Sequence, residues 1–600
     1  MSPRAQRLRA AAPWAACALI ALVYWPILRG GFVWDDKIAF VDAAWLRQGD
    51  AWLHYAWVGI SGSVNYFRPL VVALYTAEVR AFDLAPWPMH LVSLLLHLLN
   101  TLLVGGLARR VLRAPQPTFW PALAMLLYGL HPVLVEPVAW ISCQYDMVAT
   151  LFVLAALYAN LALEGTVRRA FAVGAAFLLA AAAKESAACL PPLLLLFDLE
   201  REGRDGRPWR DALAALWRRQ RAVYLAVLVA AALYLIARRA ALGHLVAPIG
   251  NVTPLSFAHL QKMCATYLAY WRLALWPMAG LGPLHVVDEG VFARVDSVRL
   301  AVDVGALSIA ALGVVAFLRR NAVGALILCF SAALLPVLNL VPTLFVESLY
   351  HERYAMIALG MACVWFPLLL GRGFAHHSGA RRLRPVAFAL GAFWLAGCAL
   401  NIRVTLPLWS DELRLWQWAL RLDPASIVAK DHLLAEYMGQ DDRAQVDAIV
   451  RDVLDHDLPC PNCLLNAAFA TITEGDAARA QLALDRLGAR PEAVTNARIL
   501  HGYILAQGEL AELRGQFADA EEAYRAAQQT DPLDPVPPLR LALLFARQDR
   551  ATEARSIGDT ALALFAPGER PSRREQIEAA IRAGAAAPAP PSAPTPTPPG

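Results

Sequence analysis

The chain has 600 residues, of which 58% are hydrophobic and only 17% charged; an ordinary soluble chain carries about 25% charge. Much of it must therefore lie in lipid, which excludes a wholly soluble protein. A net charge of +5 is small for this length and argues against a nucleic-acid partner. In chain order, apolar runs occupy Trp14–Arg29, Met89–Arg110, Phe119–Val135, Tyr145–Leu163, Ala170–Ala183, Ala187–Phe197, Ala222–Ala237, Leu300–Leu318, Ala322–Val341, Tyr354–Leu370 and Pro385–Asn401. A full crossing takes about 20 apolar residues, so the fifth and sixth runs are short and read as a pair meeting at a polar turn. Phe257–Trp276 reads as interfacial. The expectation is an all-α polytopic membrane domain over residues 1–403 with about eleven transmembrane helices.

Arginines orient the spans, because cytoplasmic loops are enriched in them. With Arg4, Arg7 and Arg9 inside, the inside loops also hold Arg109-Arg110-Arg113, Arg168-Arg169, the Arg201–Arg221 stretch, Arg319-Arg320 and Arg372 through Arg384. Arg238-Arg239 is the exception. This reading places the N-terminus in the cytoplasm and everything after Asn401 on the other side. Trp14–Arg29 lacks a small-residue cleavage pattern and reads as a retained anchor.

The same parity brings Asp35, Asp36, Arg68, His90, His131, Glu136, Asp146, Lys184, Glu185, His351, Glu352 and Arg353 to the outer face. Ionisable groups in membrane segments are costly unless they face a polar cavity and pair with one another. A cavity with acids at one edge and cations opposite suits sugar transfer from a lipid phosphate to a hydroxyl: a carboxylate base activates the alcohol, and cations meet the leaving phosphate. Ion-coupled transport draws on the same residue types, but a transporter calls for polar residues deep in mid-span.

The motifs FVWDDKIAF after the first span, YFRPL at Tyr66–Leu70, PMHLVSLLLHLLN at Pro88–Asn100, HPVLVEPVAWISCQYDMVA at His131–Ala149, AKES at Ala183–Ser186 and HERY at His351–Tyr354 occur in this order. Together they resemble the transmembrane and tetratricopeptide-repeat containing protein O-mannosyltransferases of the GT-C superfamily. The resemblance implies a GT-C-type membrane fold. It also implies an inverting glycosyltransferase moving mannose or another hexose from a polyprenyl-phosphate donor to Ser or Thr of exported proteins. Asp35, then Asp36, would be the base in a first outer loop carrying short helices, with Tyr66–Asp83 one of them. Arg68, Lys184 and Arg353 would meet the donor phosphate, and His90, His131, Glu136, Asp146, Glu185, His351 and Glu352 would shape the pocket. One departure is Gln144, where the family often has Arg two residues before the acid matching Asp146; mannose as the sugar is correspondingly less secure. Asp35-Asp36 with a histidine could hold a divalent ion, but no tight His/Cys/Asp spacing supports a dedicated metal site, so catalysis without metal or other cofactor is the favoured expectation.

From about Trp409 the pattern is helical, broken at Pro424, Pro459, Pro491 and Pro532. In GQFADAEEAYRAAQQTDP, residues Gly515, Phe517, Ala520, Tyr524, Ala527 and Pro532 suit a tetratricopeptide unit, and Ala554 and Ala561 repeat Ala520 and Ala527 one period of about 34 residues later. Residues 404–583 are expected to form a tetratricopeptide-like α-solenoid outside the cytoplasm that binds acceptor protein, with 584–600 a disordered Ala/Pro-rich tail. Cys460 and Cys463, in LPCPNC, suit a redox motif, half a metal site or a local disulfide, and a location outside the cytoplasm with no partner pair elsewhere favours the disulfide. Seven other cysteines read as small buried hydrophobes. The composition favours a bacterial inner membrane with periplasmic repeats; in an endoplasmic reticulum Asn251-Val-Thr would be a glycosylation sequon. Rival readings are a lipid-linked sugar transferase acting on an envelope glycan or lipid, and a non-catalytic scaffold or transporter bearing a repeat module.

Overall fold

The computed structural model describes residues 3–41, 43–58, 66–112, 119–203, 206, 208–245, 256–287, 289–338, 340, 348–376, 382–565 and 568–586. Arg113, parts of the Arg201–Arg221 and Arg372–Arg384 loops, the Asn251 sequon and most of the tail lie outside them. The described residues are helical, without strands, and fall into two compact units that divide at Asp423/Pro424.

In the first unit, the helices are α1 (Pro3–Tyr24), α2 (Ala51–Val58), α3 (Pro69–Phe82), α4 (Pro86–Leu112), α5 (Phe119–Gly129), α6 (Val135–Ala139), α7 (Gln144–Ala162) and α8 (Thr166–Ala183). They continue with α9 (Leu190–Gly203), α10 (Trp209–Leu242), α11 (Phe257–Leu275), α12 (Ser297–Leu318), α13 (Ala322–Leu334), α14 (Met356–His376), α15 (Arg384–Thr405) and α16 (Glu412–Leu422). Over its described residues, each of the eleven apolar runs is largely helical. Among the described residues, eight helices (α1, α4, α7, α8, α10, α12, α14 and α15, some with a short flanking turn) are long and apolar enough to cross a membrane. A further pair, α5 and the Pro132–Ala139 segment, is long and apolar enough only when taken together, and it is bent by 55°. Pro132 cannot donate to the preceding turn, which accounts for the bend. The remaining two runs are α9 and α13, of 14 and 13 residues, shorter than a full crossing.

The short fifth and sixth runs meet as expected at a polar break: α8 stops at Ala183, Lys184 is extended, and a tight turn Glu185–Cys189 leads into α9. Similar breaks precede α6, α7 and α14, and every candidate site residue sits at or near such a break or a helix end. There the helix N–H and C=O groups are free to take side-chain partners. Helix α3, expected within Tyr66–Asp83, buries Val71, Val72, Tyr75, Val79 and, unusually, Glu78.

The second unit is a run of antiparallel helix pairs: α17 (Ile427–Gly439), α18 (Arg443–Asp455), α19 (Pro461–Thr473), α20 (Ala477–Gly488), the single turn α21 (Glu492–Thr495), α22 (Ala497–Leu513), α23 (Phe517–Thr530), α24 (Val536–Arg547), α25 (Ala551–Leu564) and α26 (Arg570–Ala586). The turn inside four successive pairs carries one left-handed residue: Asp441 (φ 55°), Gly475 (φ 80°), Gly515 (φ 75°) and Asp549 (φ 60°). Gly and Asp are the residues that tolerate that conformation. The wider interval between Gly475 and Gly515 accommodates α21. Ala520, Ala527, Ala554 and Ala561 have no exposed surface, so the alanine pattern marks where helices meet. Cys460 and Cys463 are joined as a disulfide, their Cα atoms 5.2 Å apart, at the start of α19.

Candidate active site

The acidic pair follows a turn that directs its two carboxylates apart. Trp34 holds a left-handed conformation (φ 55°), which is costly for a bulky side chain. Beyond it Asp35 is exposed and Asp36 is fully buried. Asp36 Oδ1 accepts from the Ser142 backbone N–H (2.7 Å) and hydroxyl (2.6 Å), and Oδ2 accepts from the Val33 N–H (3.1 Å). Burial pushes the Asp36 carboxyl up to about 7 against the pull of these donors, and the Asp35 charge adds to the rise. Asp36 thus ties the loop to the break before α7, while Asp35 lies at the surface.

Trp34 is held on three sides. Its N–H donates to Glu412 Oε2 (2.7 Å), and its ring stacks on Trp140 at 4.6 Å and meets Trp416 edge-on at 5.3 Å. Just upstream, the Gly31 N–H donates to the Ser410 carbonyl (2.8 Å). A Cβ on Gly30 would lie 3.0 Å from His90 Nε2, so glycine there lets the loop close over the His90 ring.

Cations line the neighbouring breaks. Arg68 donates to Glu185 Oε2 (3.0 Å), and Arg238 reaches Glu185 Oε1 (3.0 Å), so one carboxylate serves two guanidinium groups. Burial opposes ionisation of Glu185, but Arg68 and Arg238 outweigh it and hold the acid below the usual carboxylate range. Lys184 pairs with Asp146 at 2.5 Å; burial lowers the ammonium to about 8 even so, with Arg68 and Arg353 repelling it. Arg353 donates to Glu136 through its side chain and its backbone N–H (2.8 Å), and its Nε lies 4.0 Å from Asp146. Tyr145 and Tyr354 fill the space between: Arg68 and Lys184 lie over the Tyr145 ring, and Lys184 and Arg353 over the Tyr354 ring. Arg353 also faces Trp34 and Trp140. Burial raises the Tyr66 hydroxyl, which feels the charges of Arg68, Tyr354, Glu185 and Asp35 together. The acid loop and the cations therefore share one neighbourhood.

The other candidates serve its walls. Glu352 Oε1 accepts from the Gly282 N–H and pairs with His285 Nε2, both at 2.9 Å. A void of about 10 Å³ lies between Glu136, Gly282, Glu352, Thr405 and Trp409, room for one water. His351 Nδ1 is 3.9 Å from Glu136. His90 and His131 bind the backbone carbonyls of Gly31 (3.3 Å) and Ala274 (3.2 Å), a packing role rather than a turn toward the charges. Gln144 donates to Glu78 Oε1 (3.0 Å), the Met89 carbonyl and Ser93. Its partner is Glu78, not Asp146, and burial raises Glu78 to about 8. An arginine at 144 would meet that buried acid.

Among the described residues, the one group whose ligand atoms lie close enough for a metal is Asp431, Cys460 and Cys463 in the second unit. Both its sulfurs are committed to the disulfide. Sequence reasoning missed Trp34, Trp140, Glu78, Arg238, His285, Glu412 and Trp416. Arg238 carried a signal, as half of the arginine pair that broke the orientation rule.

Comparison with known proteins bears on this arrangement. The protein O-mannosyl-transferase Tmtc2 of Drosophila melanogaster is 32% identical over 202 residues, 31% of this chain and 21% of that protein. TMTC1 of Mus musculus is 34% identical over 157 residues (24% and 16%), and TMTC4 of Homo sapiens is 32% identical over 146 (21% and 19%). The chain is similar to the protein O-mannosyl-transferases. The similarity read from the motifs holds, over about a fifth of the length of the curated relatives it matches. No family model and no solved structure matches the chain.

Proposed function

We propose that this protein is an integral-membrane glycosyltransferase of GT-C type, moving a hexose from a polyprenyl phosphate to Ser or Thr of exported proteins with inversion. The observation that carries this reading is an exposed carboxylate, Asp35, on the loop whose Trp34 ring faces Arg353, with Arg68 and Arg238 meeting at Glu185 among the same group of aromatic rings and cations. A sugar phosphate needs a base at the attacking hydroxyl and positive charge at the departing phosphate.

In the proposed step, Asp35 takes the proton of the acceptor hydroxyl as its oxygen attacks the anomeric carbon from the face opposite the phosphate. The sugar–phosphate bond breaks, and its electron pair leaves on the lipid phosphate. Arg68 and Arg238 meet that charge, with Lys184 behind them; Arg353, already paired with Glu136, holds the wall. No step calls for a metal. The relatives' printed names support O-mannosyl transfer. The site faces the periplasm of a bacterial inner membrane in this reading, and the helix pairs of the second unit form a tetratricopeptide-like groove for the acceptor.

The test is mass spectrometry of Ser/Thr peptides incubated with the detergent-solubilised protein and a polyprenyl-phosphate mannose. A hexose-sized increment on the peptide is expected. Hydrolysis of the donor without a labelled peptide, or no consumption of polyprenyl-phosphate mannose, glucose or galactose, overturns the reading.

A further inference from the structure

We infer that Glu412 is a positioning residue for the catalytic loop, acting through Trp34, and that a carboxylate is needed there as long as the Trp416 indole N–H competes for one of its oxygens. This rests on the proposed role of Asp35. Glu412 opens α16, the last helix of the first unit, far in sequence from the first span, and it is buried. Its Oε2 accepts from the Trp34 N–H (2.7 Å) and its Oε1 from the Trp416 indole N–H (2.7 Å). Trp416 packs edge-on against Trp34, whose other face stacks on Trp140. The Ser410 carbonyl pins the same loop at Gly31.

The backbone at Trp34 explains the need for such a clamp. A tryptophan at φ 55° relaxes to negative φ unless surrounding contacts over-determine it. That φ is what separates the two acids, turning Asp36 inward to Ser142 and leaving Asp35 outside. With Trp34 relaxed, Asp36 and Asp35 cannot hold these positions together, and a base displaced by about 1 Å loses on the order of 100-fold in rate. The chemistry of the two bonds is specific. The Trp34 and Trp416 groups that meet Glu412 are both N–H donors, so a carboxylate accepts both, whereas a glutamine has one acceptor oxygen and must turn its NH₂ toward the other N–H.

This gives a test that mere structural damage does not mimic. Glu412→Gln, Trp416→Phe and the double variant are compared for transfer from polyprenyl-phosphate mannose to a Ser/Thr peptide, and for the near-ultraviolet circular dichroism of the stacked indoles. Expected are a kcat of Glu412→Gln lowered by about 10-fold to 100-fold with acceptor KM little changed, and near-normal turnover in Trp416→Phe. The double variant recovers at least tenfold over Glu412→Gln, because the remaining oxygen is free for Trp34 once the indole N–H is gone. Wild-type turnover in Glu412→Gln, or a double variant no better than the single, overturns the inference. If the wild type transfers no sugar, the functional reading fails by itself. The dichroism arm then still decides the clamp: the Trp34–Trp140 signal is lost in Glu412→Gln and regained in the double variant, or the clamp is wrong.

Discussion

Replacing the two aspartates one at a time separates catalysis from loop positioning. Asp35 is exposed, so Asp35→Asn is expected to change stability by no more than about 0.5 kcal/mol while removing the base, at a loss of about 10²–10⁴ in rate. Asp36→Asn acts differently. With its remaining oxygen toward Ser142, the new NH₂ faces the Val33 N–H, one hydrogen bond is lost and a buried donor is stranded, at a cost of about 1–3 kcal/mol. Loss of the burial penalty on the charge offsets part of that. If the loop alone carries the cost, the rate falls by about 5-fold to 150-fold, 1.4 kcal/mol being tenfold. Ser142→Ala, which removes one of the three donors, imitates Asp36→Asn but not Asp35→Asn. The assay is the initial rate of transfer from polyprenyl-phosphate mannose in detergent, alongside the thermal unfolding midpoint of each variant. The expected pattern is an unchanged midpoint and a rate near or below 1% for Asp35→Asn, and a fall in both quantities for Asp36→Asn and Ser142→Ala. A wild-type rate in Asp35→Asn refutes the assignment. So does Asp36→Asn losing the larger share of rate with an unchanged midpoint.

Three further outcomes are expected. Burial raises both Asp36 (to about 7) and Glu78 (to about 8) above the unfolded carboxylate range, so between about pH 4 and 8 the native state keeps protons that the unfolded chain releases. Stability therefore falls as pH rises through that window, and unfolding midpoints between pH 5 and 8 should fall in the wild type and less steeply in Glu78→Gln. Asp146→Ala strands the buried Lys184 ammonium, at about 3–5 kcal/mol; a lowered midpoint is expected, and Asp146→Ala with Lys184→Met should restore most of it. In the second unit a Cβ on Gly515 meets nothing within 4 Å, so Gly515→Ala has only its left-handed backbone to strain, about 1 kcal/mol, whereas Asp549→Gly at φ 60° relieves the same strain and should raise the midpoint.

Composition made the helices legible because lipid leaves the backbone few alternatives. All eleven apolar runs are largely helical over their described residues, and even the weakness of the fifth and sixth was visible in their length. The acids and cations were legible for the related reason that charge near lipid stands out. Their pairings were not. Arg238 reads along the chain as a loop arginine on the wrong side, and only the fold brings it to Glu185. Gln144 was noticed as a departure, but its partner across the fold is Glu78 in α3. The opposite directions of Asp35 and Asp36 follow from one backbone angle at Trp34, which depends on Trp140, Glu412 and Trp416. No local pattern encodes contacts across such separations. The left-handed turns of the second unit were half visible: Gly515 announces one, but Asp441 and Asp549 look like ordinary polar residues until their φ is known.

The pairings also rank the cations against one another. Arg353 is met by Glu136 through two donors and stacked among aromatic rings, and Lys184 is met by Asp146 at 2.5 Å. Drawing either toward a phosphate strands a buried acid, whose desolvation the new contact must offset. Arg68 and Arg238 differ, because both meet Glu185, which is about one-third exposed. Their acid is already reached by solvent, so drawing these arginines toward an arriving phosphate costs less desolvation than drawing Arg353 or Lys184. A planar guanidinium also meets phosphate through two donors. By this argument an arginine that reads as an orientation anomaly contributes more to holding the donor than Arg353 of the HERY motif. Removing Arg238 should therefore raise the donor KM more than removing Arg353, whose loss should instead lower the unfolding midpoint by exposing Glu136 unpaired.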